Sequence, residues 1–235
     1  MKENWQEQLQ TLLNCDLKEL YPLARSLNRK LEFYVGPTNS GKTYNAMQEL
    51  KKANSGLYLA PLRLLALEGY EDLKASNIDA SLVTGEEQIF DEDAAHVCST
   101  IEMLDFDLDV DVAVIDEVQM LGDDDRGWAW VNAIIGCPAK KIIMTGSVNA
   151  LEAVKKITSY LGEELKVVKH KRKNELKVLS KHTALDHLEP ATALIAFSRS
   201  DVLKLKQKLQ KKYSVSVIYG NLSPEVRRDE ARRFR

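Results

Sequence analysis

The chain has 235 residues, a formal net charge of -2 from 33 Lys or Arg against 35 Asp or Glu, and 44% hydrophobic residues. These values are typical of a soluble globular protein with one large domain or one and a half ordinary ones. No apolar run approaches the ~20 residues of a membrane span. The first ten residues resemble neither a secretory signal nor an Arg-rich transit peptide. We therefore expect a cytoplasmic protein that makes no membrane contact.

The three cysteines are Cys15, Cys98 and Cys137, and they form no C-x-x-C pair. An odd number of widely spaced cysteines excludes a disulfide framework and disfavours a structural zinc site. We predict that all three are buried thiols.

Charge is distributed unevenly along the chain. From Lys166 to Arg235 there are 18 Lys or Arg and 7 Asp or Glu, a balance of 18 - 7 = +11, which leaves 15 - 28 = -13 in the first 165 residues. A basic segment can neutralise phosphates and release their counterions. Lysines such as Lys204 and Lys208 can equally form the solvated face of a helix. Charge alone leaves both interpretations open.

Strands and helices are predicted to alternate in the first two thirds of the chain. Short apolar runs predict strands at Leu31 to Val35, Leu57 to Ala60, Ala80 to Val83, His96 to Ser99, Val110 to Ile115 and Lys141 to Met144. Helical spacing of apolar residues predicts helices at Thr43 to Ala53, Leu62 to Ser76 and Val148 to Leu161. Nearly continuous hydrophobicity within the strands favours a parallel sheet covered on both faces, which makes the fold class α/β.

A smaller second block follows the basic run Lys169 to Lys173. Its predicted strands are Leu176 to Leu179, Ala193 to Phe197 and Val215 to Ile218, and its predicted helices are Asp201 to Tyr213 and Pro224 to Arg235. About 60 residues are few for an independent α/β domain. We predict an N-terminal helical lead-in over residues 1–28, a first domain over 29–168, and the start of an incomplete second domain over 169–235.

The strongest chemical signal is a glycine-containing run between the first predicted strand and the first predicted helix. Gly36, Pro37, Thr38, Asn39, Ser40, Gly41, Lys42 and Thr43 fit the pattern G-x-x-x-x-G-K-[ST]. Glycines let backbone N–H groups converge on phosphates, and the helix N-terminus adds its positive dipole end. We expect Lys42 to reach the β and γ phosphates and Thr43 to ligate Mg²⁺. The sequence therefore predicts a site for a nucleoside triphosphate.

Two acids, Asp116 and Glu117, end the apolar strand Val110 to Ile115. An Asp in this position can hold Mg²⁺ through water, and the adjacent Glu can orient and deprotonate an attacking water molecule. Strand-end carboxylates can also simply meet solvent, but their combination with a phosphate loop is far more specific. Glu117 favours hydrolysis over transfer to another acceptor.

Three further patches each follow a predicted strand: Ala60 to Ala66, Thr84 to Glu87, and Ser99 to Met103. The carboxyl ends of parallel strands are where α/β folds bind ligands. Hydroxyls, an arginine and backbone N–H groups at this edge suit a phosphodiester backbone without reading bases. Taken singly, each patch is an ordinary strand-to-helix turn.

The order of these motifs resembles the superfamily 2 helicases of the DExH type, and most of all the RNA helicase of the mitochondrial degradosome and its bacterial relatives. The resemblance covers nearly the whole chain from about Tyr21. The residues that carry it are Tyr21 to Arg25, Gly36 to Tyr44, Pro61 to Ala66, Val83 to Glu87, Asp116 to Met120, Arg126 to Trp130, Ala196 to Asp201 and Val217 to Pro224.

The resemblance implies a RecA-like P-loop NTPase domain followed by the first part of a second RecA-like domain. ATP and Mg²⁺ would bind between the two domains. Single-stranded RNA, or a duplex with an overhang, would lie across both domains, and the resemblance also implies a possible ribonuclease partner.

Roles follow for individual residues by the same resemblance. RNA contacts are implied for Arg63, Thr84, Gly85, Thr100 and Ser198. Lys42, Glu117 and Gln119 would be catalytic. Gln119 and the loop Thr145, Gly146 and Ser147 would also couple hydrolysis to domain movement.

Family members continue past the position of Arg235 with a Gln-and-Arg-rich motif. Its arginines complete the ATP site, and such arginines can be worth about 10³ to 10⁵ in rate. We therefore expect this chain to bind ATP, to hydrolyse it weakly, and to be a fragment of a longer helicase.

Two other functions remain open. Thymidine kinases share the phosphate loop and the Asp-Glu-x-Gln strand end, but their zinc-binding cysteine pairs have no counterpart here. A non-catalytic, ATP-responsive RNA-binding module would use nucleotide only to shift its domains, and it has no evident use for Glu117. We interpret Trp128 and Trp130 as core or interface aromatics rather than as a base-stacking platform.

Overall fold

A computed structural model describes residues 15–172 and 177–234. The chain divides into two compact units, Met1–Asn174 and Glu175–Arg235. Within the described ranges, no helix has the length and apolar character needed to cross a membrane.

The first unit is built on an eight-stranded sheet in the order β4-β3-β5-β2-β6-β7-β1-β8. Its strands are β1 (Lys30–Val35), β2 (Gly56–Ala60), β3 (Ala80–Val83), β4 (Gln88–Ile89), β5 (His96–Thr100), β6 (Val110–Ile115), β7 (Ala139–Gly146) and β8 (Leu165–Lys169). Every neighbouring pair is parallel except β3 and β4. All six predicted strands form, which confirms the α/β class.

Among the described residues of this unit, five helices accompany the sheet: α1 (Pro22–Ser26), α2 (Lys42–Lys52), α3 (Arg63–Ala75), α4 (Gly127–Gly136) and α5 (Leu151–Leu161). The three predicted helices are confirmed, the last of them preceded by a 3-10 turn at Val148–Ala150. The N-terminal lead-in expected over residues 1–28 lies partly outside the described residues. From Cys15 onward it contains a 3-10 turn, Leu17–Leu20, and α1.

Alternation along each inner strand places side chains in two separate cores, one on each face of the sheet. On β2, Leu57 and Leu59 pack in the core with Trp130 of α4, whereas Tyr58 packs in the other core with Leu67 of α3. Burying one such side chain contributes about 1.5 to 3 kcal/mol. Burial on both faces explains why these strands are nearly continuously hydrophobic.

Parallel pairing brings the carboxyl ends of seven strands to one edge, in the order β3, β5, β2, β6, β7, β1 and β8. In the paired strands, Leu59 lies opposite Ile115, Ile115 opposite Met144, and Tyr34 opposite Thr145. The loops after β1, β6 and β7 therefore start side by side at this edge, as do the loops after β2, β3 and β5.

The opposite edge, where the strands begin, is closed by two arginines on one carboxylate. Arg29 donates to the two oxygens of Glu163 at 2.9 and 2.6 Å and to the carbonyl of Cys137 at 3.0 Å. Arg25 donates to Glu163 at 3.0 Å and to the carbonyl of Ile135 at 2.8 Å. These contacts tie α1 to the end of α4 and to the turn before β8.

The second unit contains helices α6 (Arg199–Leu209) and α7 (Pro224–Phe234), which confirms both predicted helices. The predicted strands are wrong for the residues that the structure describes, 177–179, 193–197 and 215–218, which form no strand; Leu176 lies outside them. A strand exists only when it is paired, and these segments make no ladder in the described part of the unit. Apolar side chains such as Ile195 and Phe197 are exposed.

The cysteines behave as predicted at two of three positions. Cys98 and Cys137 are buried, and burial raises the pKa of the Cys137 thiol to about 12. Cys15 is partly exposed, because it lies beside the 3-10 turn rather than in the sheet. Among the described residues, no group of three or more His, Cys, Asp or Glu is placed to hold a metal ion.

Candidate functional site

The loop after β1 is shaped by backbone geometry that its residues permit. Gly41 has φ 78° and Asn39 has φ 57°, both in the left-handed region that glycine and asparagine adopt most readily. A Cβ on Gly36 would lie 2.4 Å from the carbonyl oxygen of His170, so that only glycine fits. The Gly36 N–H donates to the Gly146 carbonyl at 3.1 Å, which fixes the start of the loop against β7.

Donors converge on this loop. Lys42 is buried, and its ammonium donates to the carbonyl of Pro37 at 2.7 Å. The hydroxyl of Ser40 is buried and has no partner among the described residues. From the segment after β8, Arg172 donates to the Thr38 hydroxyl at 2.8 Å. A buried ammonium, an unpartnered hydroxyl and a helix N-terminus form a donor set that fits an anionic phosphate chain.

Asp116, directly after β6, accepts hydrogen bonds from residues of several different elements. It is only 3% exposed. Its Oδ1 accepts from the Thr43 hydroxyl at 2.9 Å, from the Thr145 hydroxyl, and from the Glu117 N–H at 3.1 Å. Its Oδ2 accepts from the hydroxyl of Tyr58 at 3.0 Å. Residues from β2, β7 and α2, together with Glu117 after β6, thus orient one carboxylate.

Tyr58 was not predicted as a site residue. Burial raises the pKa of Tyr58, and the charge and hydrogen bond of Asp116 raise it further, so that its hydroxyl stays protonated and donates. The two residues are 58 positions apart. In the sequence, Tyr58 lies within the apolar run of β2, and this pattern is typical of a core residue rather than of a hydrogen-bond donor to Asp116.

Glu117 follows with a left-handed backbone, φ 53°. Such a conformation costs a non-glycine residue about 1 to 3 kcal/mol and persists only where the surrounding structure imposes it. Here the Gln119 side-chain amide donates to the Glu117 carboxylate, and the Ser147 N–H donates to the Gln119 amide oxygen at 3.0 Å. The predicted base Glu117 and two of the predicted coupling residues, Gln119 and Ser147, are therefore in one hydrogen-bonded chain.

Four of the residues implied in RNA contact lie together at the ends of β2, β3 and β5. Arg63 begins α3 and forms an ion pair with Glu86. A Cβ on Gly85 would lie 4.0 Å from the Arg63 guanidinium, so the two loops are adjacent. Thr84 and Thr100 are buried. The Thr84 hydroxyl closes its own turn by donating to the carbonyl of Glu87 at 2.9 Å.

Ser198, the fifth of these residues, belongs to the second unit. Its hydroxyl caps α6 by accepting from the Asp201 N–H at 3.1 Å, and it donates to the Asp201 carboxylate at 2.7 Å. In this structure the side chain therefore has a local structural role.

The segment Arg126 to Trp130 contributes more than the sequence indicated. Trp130 is fully buried and confirms its interpretation as a core residue, whereas Trp128 is exposed and is not part of the core. The guanidinium of Arg126 donates to Glu102 at 2.7 Å and to the carbonyl of Pro61 at 2.7 Å. Neither contact follows from spacing, because the partners are 24 and 65 positions away.

Comparison with known proteins extends these observations. Residues 18–170 match the family described as the DEXQ-box helicase domain of Suv3. The "ATP-dependent RNA helicase SUPV3L1, mitochondrial" of Gallus gallus is 38% identical over 97% of this chain and 31% of that protein. The "ATP-dependent RNA helicase SUV3, mitochondrial" of Saccharomyces cerevisiae is 40% identical over 92% of this chain and 30% of that protein. The chain thus spans about a third of these relatives.

A solved structure of S. cerevisiae Dbp5 bound to RNA and ADP BeF3 has the same fold. Its TM-score is 0.57 at 14% sequence identity, over 93% of this chain and 66% of that one. The likeness agrees with the RecA-like fold expected from the sequence.

The comparisons bear on two further expectations. The expected cytoplasmic location is wrong, because these relatives are named mitochondrial. Composition and charge describe a folded domain, whereas a targeting signal is a separate property of a chain. The matched family is described by a DEXQ box, which agrees with the order Asp116, Glu117, Val118 and Gln119, and the DExH type stays a prediction.

Proposed function

Since the chain belongs to the family of the Suv3 DEXQ-box helicase domain, we propose that it is the ATP-hydrolysing part of an RNA helicase. It would couple hydrolysis to movement on RNA or to unwinding. The observation that carries this proposal is the convergence of Thr43, Tyr58 and Thr145 on Asp116, directly beside Glu117. This convergence joins the phosphate loop to the acids that hydrolysis requires.

The nucleotide would be held by the loop Gly36 to Gly41 through its backbone N–H groups. Lys42 would exchange the Pro37 carbonyl for phosphate oxygens, and the Ser40 hydroxyl would gain its missing acceptor. Thr43 and Asp116 would hold Mg²⁺, which would supply positive charge to the phosphate chain. The second unit would be the start of the second RecA-like domain, with residues 29–168 as the first.

Hydrolysis itself needs a base and a fixed geometry. Glu117 would accept a proton from water as the water oxygen bonds to the γ-phosphorus and the bond to the β–γ bridging oxygen breaks, giving ADP and phosphate. Gln119 supports this role by holding the Glu117 carboxylate from one side and the Ser147 N–H from the other. Thr145, Gly146 and Ser147 would sense the γ-phosphate through that link.

RNA would lie along the ends of β2, β3 and β5. Arg63 would exchange Glu86 for a phosphate, and Thr84, Gly85 and Thr100 would line the adjoining backbone. Such contacts fix a strand without reading its sequence. Ser198 would contribute from the second unit. The ribonuclease partner implied by the resemblance belongs to this proposal and is testable by co-purification.

The test is ATP hydrolysis with and without single-stranded RNA, with thymidine in a parallel reaction. Glu117→Gln should keep nucleotide affinity and lower turnover about 10²- to 10⁴-fold, the usual contribution of a general base. Lys42→Ala should lose nucleotide affinity as well. Turnover of wild type is expected to be weak but stimulated by RNA.

Phosphate transfer to thymidine would replace the helicase proposal by the kinase hypothesis. Nucleotide binding without any turnover, unchanged in Glu117→Gln, would instead favour the non-catalytic module.

A further inference from the structure

Arg126 joins two loops at the RNA-side edge of the sheet. Its Nε donates to Glu102 at 2.7 Å, and its Nη2 donates to the Pro61 carbonyl at 2.7 Å. Pro61 lies two residues before Arg63, and Glu102 lies two residues after Thr100. One guanidinium therefore ties together the loops that carry two of the proposed RNA contacts.

The same residue is linked to the hydrolytic site through α4. The Arg126 guanidinium lies over the ring of Trp130, 5.5 Å from its centroid. Trp130 is fully buried, and its indole N–H donates to the Asp116 carbonyl at 2.9 Å. That carbonyl belongs to the peptide between Asp116 and Glu117. Trp130 thus holds one side of the left-handed backbone at the proposed base.

The backbone of Arg126 is itself fixed. Its N–H and that of Asp125 donate to the Asp123 carboxylate at 2.8 and 3.1 Å, and the Gly127 N–H donates to the Asp123 carbonyl at 2.9 Å. These bonds hold the Arg126 backbone at the start of α4. A shift of the Pro61 or Glu102 loop would therefore act on the guanidinium and on the indole beneath it.

We propose that Arg126 is a positioning residue that couples RNA contact at the ends of β2 and β5 to the backbone conformation of Glu117. The proposal rests on the proposed function, since it requires both ligands. The coupling would act through the Asp116–Glu117 peptide, because a left-handed glutamate persists only while its neighbours impose it. Arginine suits the role since its planar fork reaches a carboxylate and a carbonyl while its charge lies over an indole ring, whereas lysine offers one point charge.

The experiment measures coupling between ligands and does not depend on turnover. The affinity of a fluorescent, non-hydrolysable ATP analogue with Mg²⁺ is titrated with and without saturating oligouridine, and oligouridine affinity is measured alone. In wild type we expect RNA to tighten nucleotide binding by about 5- to 150-fold, the usual range of coupling between sites. In Arg126→Lys and Arg126→Ala we expect a factor within about 2-fold of one, with each single-ligand affinity within about 3-fold of wild type.

Arg25→Lys is the matched control. Arg25 also donates to a carboxylate and to a backbone carbonyl, Glu163 at 3.0 Å and Ile135 at 2.8 Å, and it contacts the far end of the same helix. Its loss removes the same kind of contact at the edge away from the ligands. We expect this variant to retain the wild-type coupling factor even where its thermal stability falls.

The outcomes separate the two proposals. Wild-type coupling retained in both Arg126 variants would overturn the role of Arg126 and leave the proposed function intact. Loss of coupling in Arg25→Lys as well, or a parallel loss of both single-ligand affinities in Arg126→Lys, would show a merely structural contribution and overturn it too. A wild-type chain that binds neither ligand would refute the proposed function, and the coupling with it.

Discussion

Removing the hydroxyl of Tyr58 is the most direct test of how the site is held. Tyr58 is buried and donates to Asp116 Oδ2 at 3.0 Å, whereas the other donors to this carboxylate use Oδ1. In Tyr58→Phe, Oδ2 loses its one partner among the described residues. A hydrogen bond to a charged group contributes about 1.5 to 3 kcal/mol, and burial keeps water from replacing it. We expect the free energy of unfolding to fall by about 2 kcal/mol.

Chemical denaturation measures this change directly, and thermal melting should show a midpoint lower by about 4 to 8 °C for a protein of this size. Tyr70→Phe is the control, since Tyr70 packs beside the same core and its hydroxyl has no described partner. A double-mutant cycle with Asp116→Ala should remove most of the Tyr58→Phe effect. Equal costs with and without Asp116, or a Tyr58→Phe as mild as Tyr70→Phe, would refute the reasoning.

Three further predictions concern the phosphate loop, an ion pair and the thiols. Gly36→Ala should lower thermal stability and nucleotide affinity, because the added Cβ would lie 2.4 Å from a backbone oxygen. Gly122→Ala is the control and should match wild type in both assays, because a Cβ there would have no atom within 4 Å. Equal behaviour of the two variants would contradict the close approach at Gly36. Burial raises the pKa of Glu32, but the hydrogen bond from Lys166 and the nearby lysine charges outweigh it, so the folded pKa is lowered. The ionised Glu32 carboxylate therefore stabilises the fold above its unfolded pKa, and this stabilisation is lost as pH falls through its folded pKa. In urea titrations, Glu32→Gln should lower the free energy of unfolding at about pH 7 and leave it nearly unchanged at about pH 3. A loss of stability that does not depend on pH would count against the ion pair. Cys15 should be the one thiol that reacts rapidly with an aromatic disulfide reagent in the folded protein, since Cys98 and Cys137 are buried. Three equally reactive thiols would contradict the burial of Cys98 and Cys137.

Periodicity predicted the strands of the first unit because burial on both faces leaves a direct trace in composition. β6 is the clearest case, since Val110 to Ile115 is buried at nearly every position. β8 lacked that signal, because it is the outermost strand of the sheet and exposes Lys166 and Lys169. In the second unit the same reasoning failed, since an apolar run such as Ala193 to Phe197 becomes a strand only where a neighbour supplies hydrogen bonds.

The candidate site divides in the same way. The phosphate loop and the acids Asp116 and Glu117 are local patterns whose chemistry depends on order along the chain, so the sequence predicts them. The contacts of Tyr58 and Arg126 join residues far apart in sequence, and they depend on which strands become neighbours. That information exists only once the sheet order β5-β2-β6-β7-β1 is known.

Stabilising ion pairs and the candidate site occupy different ends of the strands in this sheet. Arg25, Arg29 and Glu163 clamp the edge where the strands begin, and Asp116 occupies the edge where they end. Enzymes commonly trade stability against activity when the same positions serve both. Here these ion pairs and the proposed hydrolytic site lie at opposite ends of the strands, so substitutions where the strands begin can change thermal stability without altering the proposed site. Searches for a more thermostable variant should begin with the residues around Glu163.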